Sequence, residues 1–483
     1  MLFNSLDFAI FFPIVFLLYW FLFKGSIRQQ NLLVVASSYF FYGWWDWRFL
    51  FLIIFSTGLD FFIGKKLGQE QNSKKRKYYL WISIIANLGS LGFFKYYNFF
   101  VENFIQAFSL FGTEIHGGSL NIILPVGISF YTFQTLSYSI DVYKRKMEPT
   151  SDFVAFSAFV CFFPQLVAGP IERASDLLPQ FNKKRKFSYE KSADGLKQIL
   201  WGFFKKTVIA DNCAEYAHMF FSNPTDYNGS SLLIGVFFFA FQIYGDFSGY
   251  SDIAIGASRL FGINLSRNFQ FPYFSRDIAE FWRRWHISLS TWFRDYLYIP
   301  LGGSRGSFVS KLRNTFIIFI VSGFWHGANW TFIIWGALNA IYFIPLLLAK
   351  RNRTNLMVIA QNSNFPTLKE TFKMILNFTL VLFAWIFFRA RDLDQAILYI
   401  SKIFSSSTFS IPVFEREGGA LMTFILIIGF MFTEWFGRHG EYGISKLASN
   451  QHRMVRWTIY SIILFMIGIF MKTSETEFIY FRF

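Results

Sequence analysis

Apolar residues in this chain come in long uninterrupted runs, recurring from Phe8 to Met471, with no polar stretch of domain size between them. A half-buried strand would alternate with period two, and a surface helix would show one apolar stripe. Runs that are apolar all round predict helices that cross a bilayer, each needing about 20 residues for roughly 30 Å of hydrocarbon. Open strands cannot cross, because lipid leaves their backbone groups unpaired. The dyad alternation of an outer-membrane barrel is absent. The runs are Phe8–Phe23, Leu32–Trp45, Phe49–Ile63, Tyr78–Phe100, Ile122–Tyr143, Leu232–Ala254, Thr315–Trp325, Thr331–Leu348, Thr371–Phe388, Leu421–Phe436 and Trp457–Met471. Two further segments, Phe153–Val167 and Thr207–Phe221, are ambiguous. The expectation is an all-α polytopic membrane protein, one integral membrane domain over residues 1–483, with roughly 10–12 crossings. No internal repeat is visible, which weighs against an inverted-repeat transporter.

Composition excludes the other broad classes. Of 483 residues, 53% are hydrophobic, 22% aromatic and only 16% charged, where a soluble domain carries about a quarter charged residues. Two cysteines, Cys161 and Cys213, rule out a disulfide scaffold. Sixty-nine Phe residues rule out disorder. The opening run is followed by Lys24 and Gly25 rather than by a small-residue cleavage site, so it reads as a retained span.

The net charge of +16 changes the picture only through where it lies. Cytoplasmic loops of membrane proteins collect Lys and Arg, so no nucleic-acid partner is needed to explain it. Lys65, Lys66, Lys74, Lys75, Arg76 and Lys77 place the loop between the third and fourth spans in the cytoplasm and the N-terminus outside. The loop around Glu102 and Glu114 has no basic residue, which fits the outside, and Lys144, Arg145 and Lys146 return to the cytoplasm. Phe153–Val167 contains Pro164 and is flanked by basic residues on both sides. It is expected to dip in and return, and such an element at membrane depth must line a cavity or be covered by protein.

Candidate chemistry concentrates between Gln242 and Asn339. Asp246 and Asp252 close an otherwise apolar helix, where each charge costs about 2.5–3.5 kcal/mol at the membrane centre. They shape a site, or they pair with Arg259 or Arg267 at the helix end. From Ser275 to Tyr296 apolar positions recur with helical spacing, predicting one amphipathic interfacial helix capped by Ser275 and ended by Pro300, Gly302 and Gly303. His286 sits at the edge of its aromatic stripe, with structural and functional roles equally open. In Val321–Trp330, His326 stands between two apolar runs, flanked by Gly323 and Gly327, which leave room for a substrate or another backbone. A histidine inside a membrane segment is by default a functional candidate; as a neutral imidazole it can accept the proton of an attacking hydroxyl. His116, His218, His439 and His452 lie in loops or at span ends, and no two histidines have metal-ligand spacing, so no metal site is expected. No phosphate loop of the Gly-x-x-x-x-Gly-Lys type is present in the sequence.

Trp282-Arg283-Arg284-Trp285-His286 followed by Phe324-Trp325-His326-Gly327 resembles the membrane-bound O-acyltransferase family, and within it the bacterial alginate O-acetyltransferase branch. Leu124–Gln134, Phe163–Ile171, the Asp246–Asp252 segment, Pro272-Tyr273 and Phe478-Ile479-Tyr480-Phe481 fit the same branch, so the likeness covers nearly the whole chain.

The resemblance implies a ring of helices around a thinned centre, with re-entrant and interfacial helices, an outer funnel and a cytoplasmic opening. It implies that His326 matches the catalytic histidine and His286 the second signature histidine. Asp246, Tyr250, Asp252, Trp325, Asn329 and Arg294, in or beside these motifs, are the candidate substrate-binding residues. It further implies a bacterial cytoplasmic-membrane enzyme that passes an acetyl group from acetyl-CoA to an extracytoplasmic polysaccharide or a periplasmic partner acetyltransferase. No permanently bound cofactor is expected, because a thioester is already activated. A related branch transfers D-alanyl groups from a carrier protein to cell-wall polymers; on the residues alone, a transporter also remains open.

Overall fold

A computed structural model of the chain describes residues 1–110, 118–414, 417–446, 452–472 and 478–479, and all regular structure among them is helical. Glu114, His116 and the Tyr480-Phe481 end of the C-terminal motif lie outside the described residues. Among the described residues, six stretches are long and apolar enough to cross a membrane: Ile27–Gln69, Gly229–Leu260, Trp330–Leu348, Leu368–Arg389, Glu417–Gly437 and Arg453–Phe470. The first holds two helices in series, and Leu6–Leu22 is a shorter apolar helix. Large apolar side chains stand exposed along these helices, such as Phe372 and Ile375, or Phe465 and Ile469. Only a lipid solvent covers such a surface at no hydrophobic cost. The chain is a multi-pass membrane protein.

The described residues divide into two compact units. The first comprises Met1–Ser192 and Ala257–Leu265. It contains α1 (Leu6–Leu17), α2 (Ile27–Asp46), α3 (Leu50–Gln69), α4 (Ser73–Leu91), α5 (Tyr97–Leu110), α6 (Ile128–Tyr143), α7 (Phe153–Cys161), α8 (Phe163–Leu166) and α9 (Ala174–Phe181). The Ile122–Tyr143 run is helical only from Ile128, because Pro125 precedes it and Gly127 takes φ +76°. A side chain at Gly127 would also press on the Leu166 carbonyl. Phe153–Val167 breaks at Phe162 between α7 and α8, with Pro164 in the first turn after the break, so it is two short helices rather than one span. Its residues are almost wholly buried in protein, as irregular backbone at membrane depth requires.

The second unit comprises Ala193–Gly256 and Ser266–Phe483. α10 (Tyr189–Phe203) and α12 (Gly229–Leu260) place most of their residues in it, and α11 (Asp211–Ser222) lies between them. α13 (Ile278–Arg284), α14 (Ile287–Phe293), α15 (Phe308–His326), α16 (Trp330–Leu348), α17 (Leu368–Arg389), α18 (Leu393–Ile403), α19 (Glu417–Gly437) and α20 (Arg453–Phe470) follow. α15 and α16 form a hairpin whose backbones meet at glycines: a side chain at Gly323 would strike the Phe332 carbonyl, and one at Gly336 the Phe319 carbonyl. Small residues at such a crossing let dispersion and packing hold helices together where lipid removes the hydrophobic drive.

The expected single helix from Ser275 to Tyr296 is corrected. The chain forms α13 and α14, interrupted at Trp285-His286, where His286 takes φ 43° and ψ 54°. Periodicity ran on through the break because both halves bury the same aromatic stripe. The cap is also corrected: Asp277, rather than Ser275, accepts the Glu280 N–H at 2.7 Å.

Candidate active site

His326 is the last residue of α15, which starts at Ser307, whose hydroxyl accepts the Ser310 N–H. Asn329 opens α16 three residues later by accepting the Thr331 N–H at 3.0 Å. The imidazole therefore sits in a short turn between two apolar helices and is 3% exposed. Rings close around it: Trp325 at 4.9 Å between centroids, Trp335 at 5.2 Å and 89°, and Phe388 at 5.1 Å. Of the two readings of the flanking glycines, packing is the one observed. Gly323 meets the α16 backbone and Gly327 meets the Phe332 ring.

The interruption between α13 and α14 carries His286 to the same place. Its ring centroid lies 6.5 Å from that of His326 and 6.0 Å from that of Trp325, and Phe247 of α12 touches it edge-on at 4.7 Å. The left-handed backbone at His286 is held by Asn268. The Asn268 carbonyl accepts the Ile287 N–H at 2.9 Å. Its side-chain Oδ1 accepts the Ser288 N–H at 3.3 Å and the Ser288 hydroxyl at 2.9 Å. A backbone N–H only donates, so this atom is the amide oxygen and can only accept. His286 Nδ1, 3.1 Å from it, must therefore carry the proton, leaving Nε2 as the lone-pair nitrogen. Burial pushes the His286 pKa down to about 3, so the ring is neutral. Asn268 itself is fully buried and gave no signal in the sequence, where it is one polar residue in an irregular loop.

A cavity of about 220 Å³ in the same unit is lined by Trp282, Arg294, Phe319, Ser322, Asn352 and Arg353, among others. Ser322 lies one helical turn before His326 on α15. Trp282 donates to Asn339 Oδ1 at 3.1 Å and its ring meets Trp335 at 5.6 Å, which in turn meets His326. The signature arginines shape this cavity indirectly. Arg283 donates to the Asn352 and Asn355 carbonyls, and Arg276 to that of Met357, so the loop bearing Asn352 and Arg353 is tied to α13. Arg284 pairs with Glu280 at 2.8 Å.

The other candidates are dispersed. Asp246 and Asp252 do not pair with Arg259 or Arg267, and that expectation is corrected. Lys206 bridges Asp246 at 2.7 Å and Asp211 at 2.9 Å, and Lys205 pairs with Asp252 at 2.5 Å. Both lysines lie in a wide helical turn, Phe204–Ala210, next to the ambiguous Thr207–Phe221 segment, and their buried pairing was not legible in one dimension. Asp246 also accepts the Ile479 N–H at 2.6 Å, and Tyr250 meets the Phe478 ring edge-on at 4.9 Å. These two residues anchor the C-terminal motif. Asn329 caps α16 and donates to the Arg391 carbonyl at 2.8 Å. Arg294, exposed at the cavity, pairs with Asp295 at 2.7 Å.

The chain is thus a multi-pass membrane protein with a buried pair of histidines one helical turn from a cavity that two arginines line. The model of the membrane-bound O-acyltransferase family matches residues 146–389, which include both histidines and the cavity. The chain belongs to this family and is an O-acyltransferase; the transporter alternative falls away. It is 39% identical over 441 residues to a probable alginate O-acetylase of Pseudomonas aeruginosa, covering 90% of this chain and 81% of that protein. It is 36% identical over 440 residues to a peptidoglycan O-acetyltransferase of Helicobacter pylori, covering 85% and 81%. A teichoic acid D-alanyltransferase of Bacillus subtilis is 28% identical over 232 residues, covering 46% of this chain and 58% of its own length.

Proposed function

We propose that the chain, acting as one domain in the bacterial cytoplasmic membrane, moves an acetyl group from acetyl-CoA to an extracytoplasmic hydroxyl, with His326 as general base. The acceptor is a polysaccharide or a periplasmic partner acetyltransferase. The observation that carries the reading is the buried His326 at the end of α15, one turn beyond a cavity that combines two guanidinium groups with apolar walls. Arg294 and Arg353 suit the phosphates of a nucleotide thioester, and Trp282, Phe319 and Leu347 suit its apolar arm. His326 takes the proton of the acceptor hydroxyl as its oxygen attacks the thioester carbon. The new C–O bond forms, the C–S bond breaks, and the proton passes to the departing thiolate. The acetyl donor is favoured over a D-alanyl carrier because acetyl-transferring relatives match over most of the chain and the D-alanyl relative over about half.

The test is acetyl transfer from labelled acetyl-CoA to a polysaccharide or partner acceptor by purified protein in reconstituted membranes. Transfer by the wild type, and none by His326→Ala of equal thermal stability, is expected. Wild-type turnover in that variant eliminates His326 as the base. Labelling only from a D-alanyl carrier replaces the donor and leaves the family assignment intact.

A further inference from the structure

The first unit holds a second cavity, of about 510 Å³, built around cations. Lys183, Lys184, Arg185, Lys186, Lys191 and Arg259 line it, and no Asp or Glu is among its lining residues. Most of these cations are exposed, but Arg185 is 7% exposed. Its Nη2 donates to Asn31 Oδ1 at 2.5 Å and the Tyr19 hydroxyl interacts with the guanidinium, while Nε and Nη1 have no partner within hydrogen-bond distance among the described residues. Its guanidinium lies over the rings of Tyr19 and Phe181 at 5.5 and 5.7 Å, so no carboxylate compensates the charge. A buried guanidinium with open donors is costly unless an anion completes it, and phosphate matches its fork geometry.

The rim of the cavity identifies the kind of phosphate. Trp20 and Phe187 also line it, in edge contact at 5.5 Å, and Phe187 is 52% exposed. Trp20 belongs to the apolar N-terminal helix, whose Leu17 and Phe21 are likewise exposed. Tryptophan at the end of an apolar helix marks the headgroup level of a bilayer, where basic pockets meet anionic lipid. A free inorganic phosphate gains nothing from the apolar rim, whereas a phospholipid can set its phosphate among the lysines and lay its chains along Phe187 and Phe21. We propose that this cavity binds the phosphate headgroup of an anionic phospholipid, and that it does so independently of acyl transfer.

The experiment uses the full chain, purified in neutral detergent, with phosphatidylglycerol or phosphatidylcholine added. Retained lipid is counted by native mass spectrometry, and the unfolding midpoint is recorded. Phosphatidylglycerol is expected to be retained and to raise the midpoint, as a ligand of the folded state does. In Lys183→Gln/Lys184→Gln/Lys186→Gln, three exposed positions, binding is expected to fall about a hundredfold, at about tenfold or less per lysine. Arg185→Gln is expected to abolish retention. Equal effects of phosphatidylcholine, or unchanged phosphatidylglycerol binding in the triple variant, overturn the proposal. So does displacement of the lipid by coenzyme A, which would give the cavity to the donor's phosphates. Wild-type lipid selectivity alone decides the matter if a variant does not fold.

Discussion

His286 and His326, forty residues apart in the chain, lie with ring centroids 6.5 Å apart and planes inclined at 57°. The two differ in how they are held. His326 ends a long helix among aromatic rings, while His286 occupies a left-handed position fixed by a buried amide. In the proposed mechanism His326 is the base and His286 orients or polarises. His286→Ala is expected to lower kcat about tenfold, against the loss of about 10²–10⁴-fold that removal of a general base brings in His326→Ala. Steady-state rates on variants of matched thermal stability check this. Equal losses would make His286 a second catalytic group.

Asn268 fixes which nitrogen of His286 carries the proton, so it is expected to act on turnover without touching substrate. Asn268→Ala removes the acceptor for the Ser288 N–H, the Ser288 hydroxyl and His286 Nδ1. Each buried donor left unsatisfied costs about 1–3 kcal/mol. Expected outcomes are a lower unfolding midpoint and a reduced kcat with donor KM unchanged. Asn268→Asp, which keeps an acceptor there, should recover part of kcat. Stability loss with unchanged kcat would leave Asn268 a purely structural residue.

Helical class and most of the long apolar spans were legible because lipid imposes a plain rule: backbone must bond within the segment, and side chains must be apolar; Tyr78–Phe100, Ile122–Tyr143 and Thr315–Trp325 are not among the six long apolar stretches. His326 stood out for the same reason, as a polar residue where polarity is costly, whereas His286, read on an interfacial helix, did not. Interruptions were less legible. The Trp285-His286 break preserves helical spacing on both sides, and the feature that makes it, the Asn268 amide, lies 18 residues upstream. Buried charge pairs were misassigned because ion pairing depends on which helices touch. Lys205 and Lys206 form the ion pairs with Asp252 and Asp246 from a different helical segment, while Arg267 acts on Asp252 only through its charge.

The Lys206 network bears on folding. Lys206 is 1% exposed and serves two buried carboxylates, Asp246 and Asp211. Removing one partner of a buried pair costs about 3–5 kcal/mol, because the remaining charge is uncompensated. Lys206→Met is therefore expected to lower the unfolding midpoint sharply. Lys206→Met/Asp246→Asn should recover part of it, since the double variant leaves one less buried charge. Thermal unfolding in detergent measures both. A double variant no more stable than the single would show that Asp246 is held mainly by the Ile479 N–H.

Arg294 and Arg353 are exposed at the mouth of the cavity beside α15. A charge-assisted hydrogen bond to phosphate is worth about 1.5–3 kcal/mol. Arg353→Gln is expected to raise the KM for acetyl-CoA at least about tenfold with kcat little changed. Dephospho-coenzyme A thioesters should narrow the gap between variant and wild type. An unchanged KM in both Arg353→Gln and Arg294→Gln would remove this cavity from donor binding.

Orientation rests on loop charge, and the structure supplies a clean way to test it. Lys74, Lys75 and Lys77 stand exposed near the start of α4, while Arg76 is buried and bonds the Val142 and Tyr143 carbonyls at the end of α6. The α3–α4 turn and the Lys144–Lys146 turn thus share one face of the first unit, as the charge rule requires of two cytoplasmic loops. Both native cysteines, Cys161 and Cys213, are fully buried, so an impermeant thiol reagent has no native target. Asn72 caps α4 through the Lys74 N–H, and replacing it costs about 1 kcal/mol. Exposed Ser73 is the better probe position. In intact cells Ser73→Cys is expected to stay unlabelled from outside and to react once the membrane is opened. Labelling before opening would overturn the orientation read from the charge of these two loops.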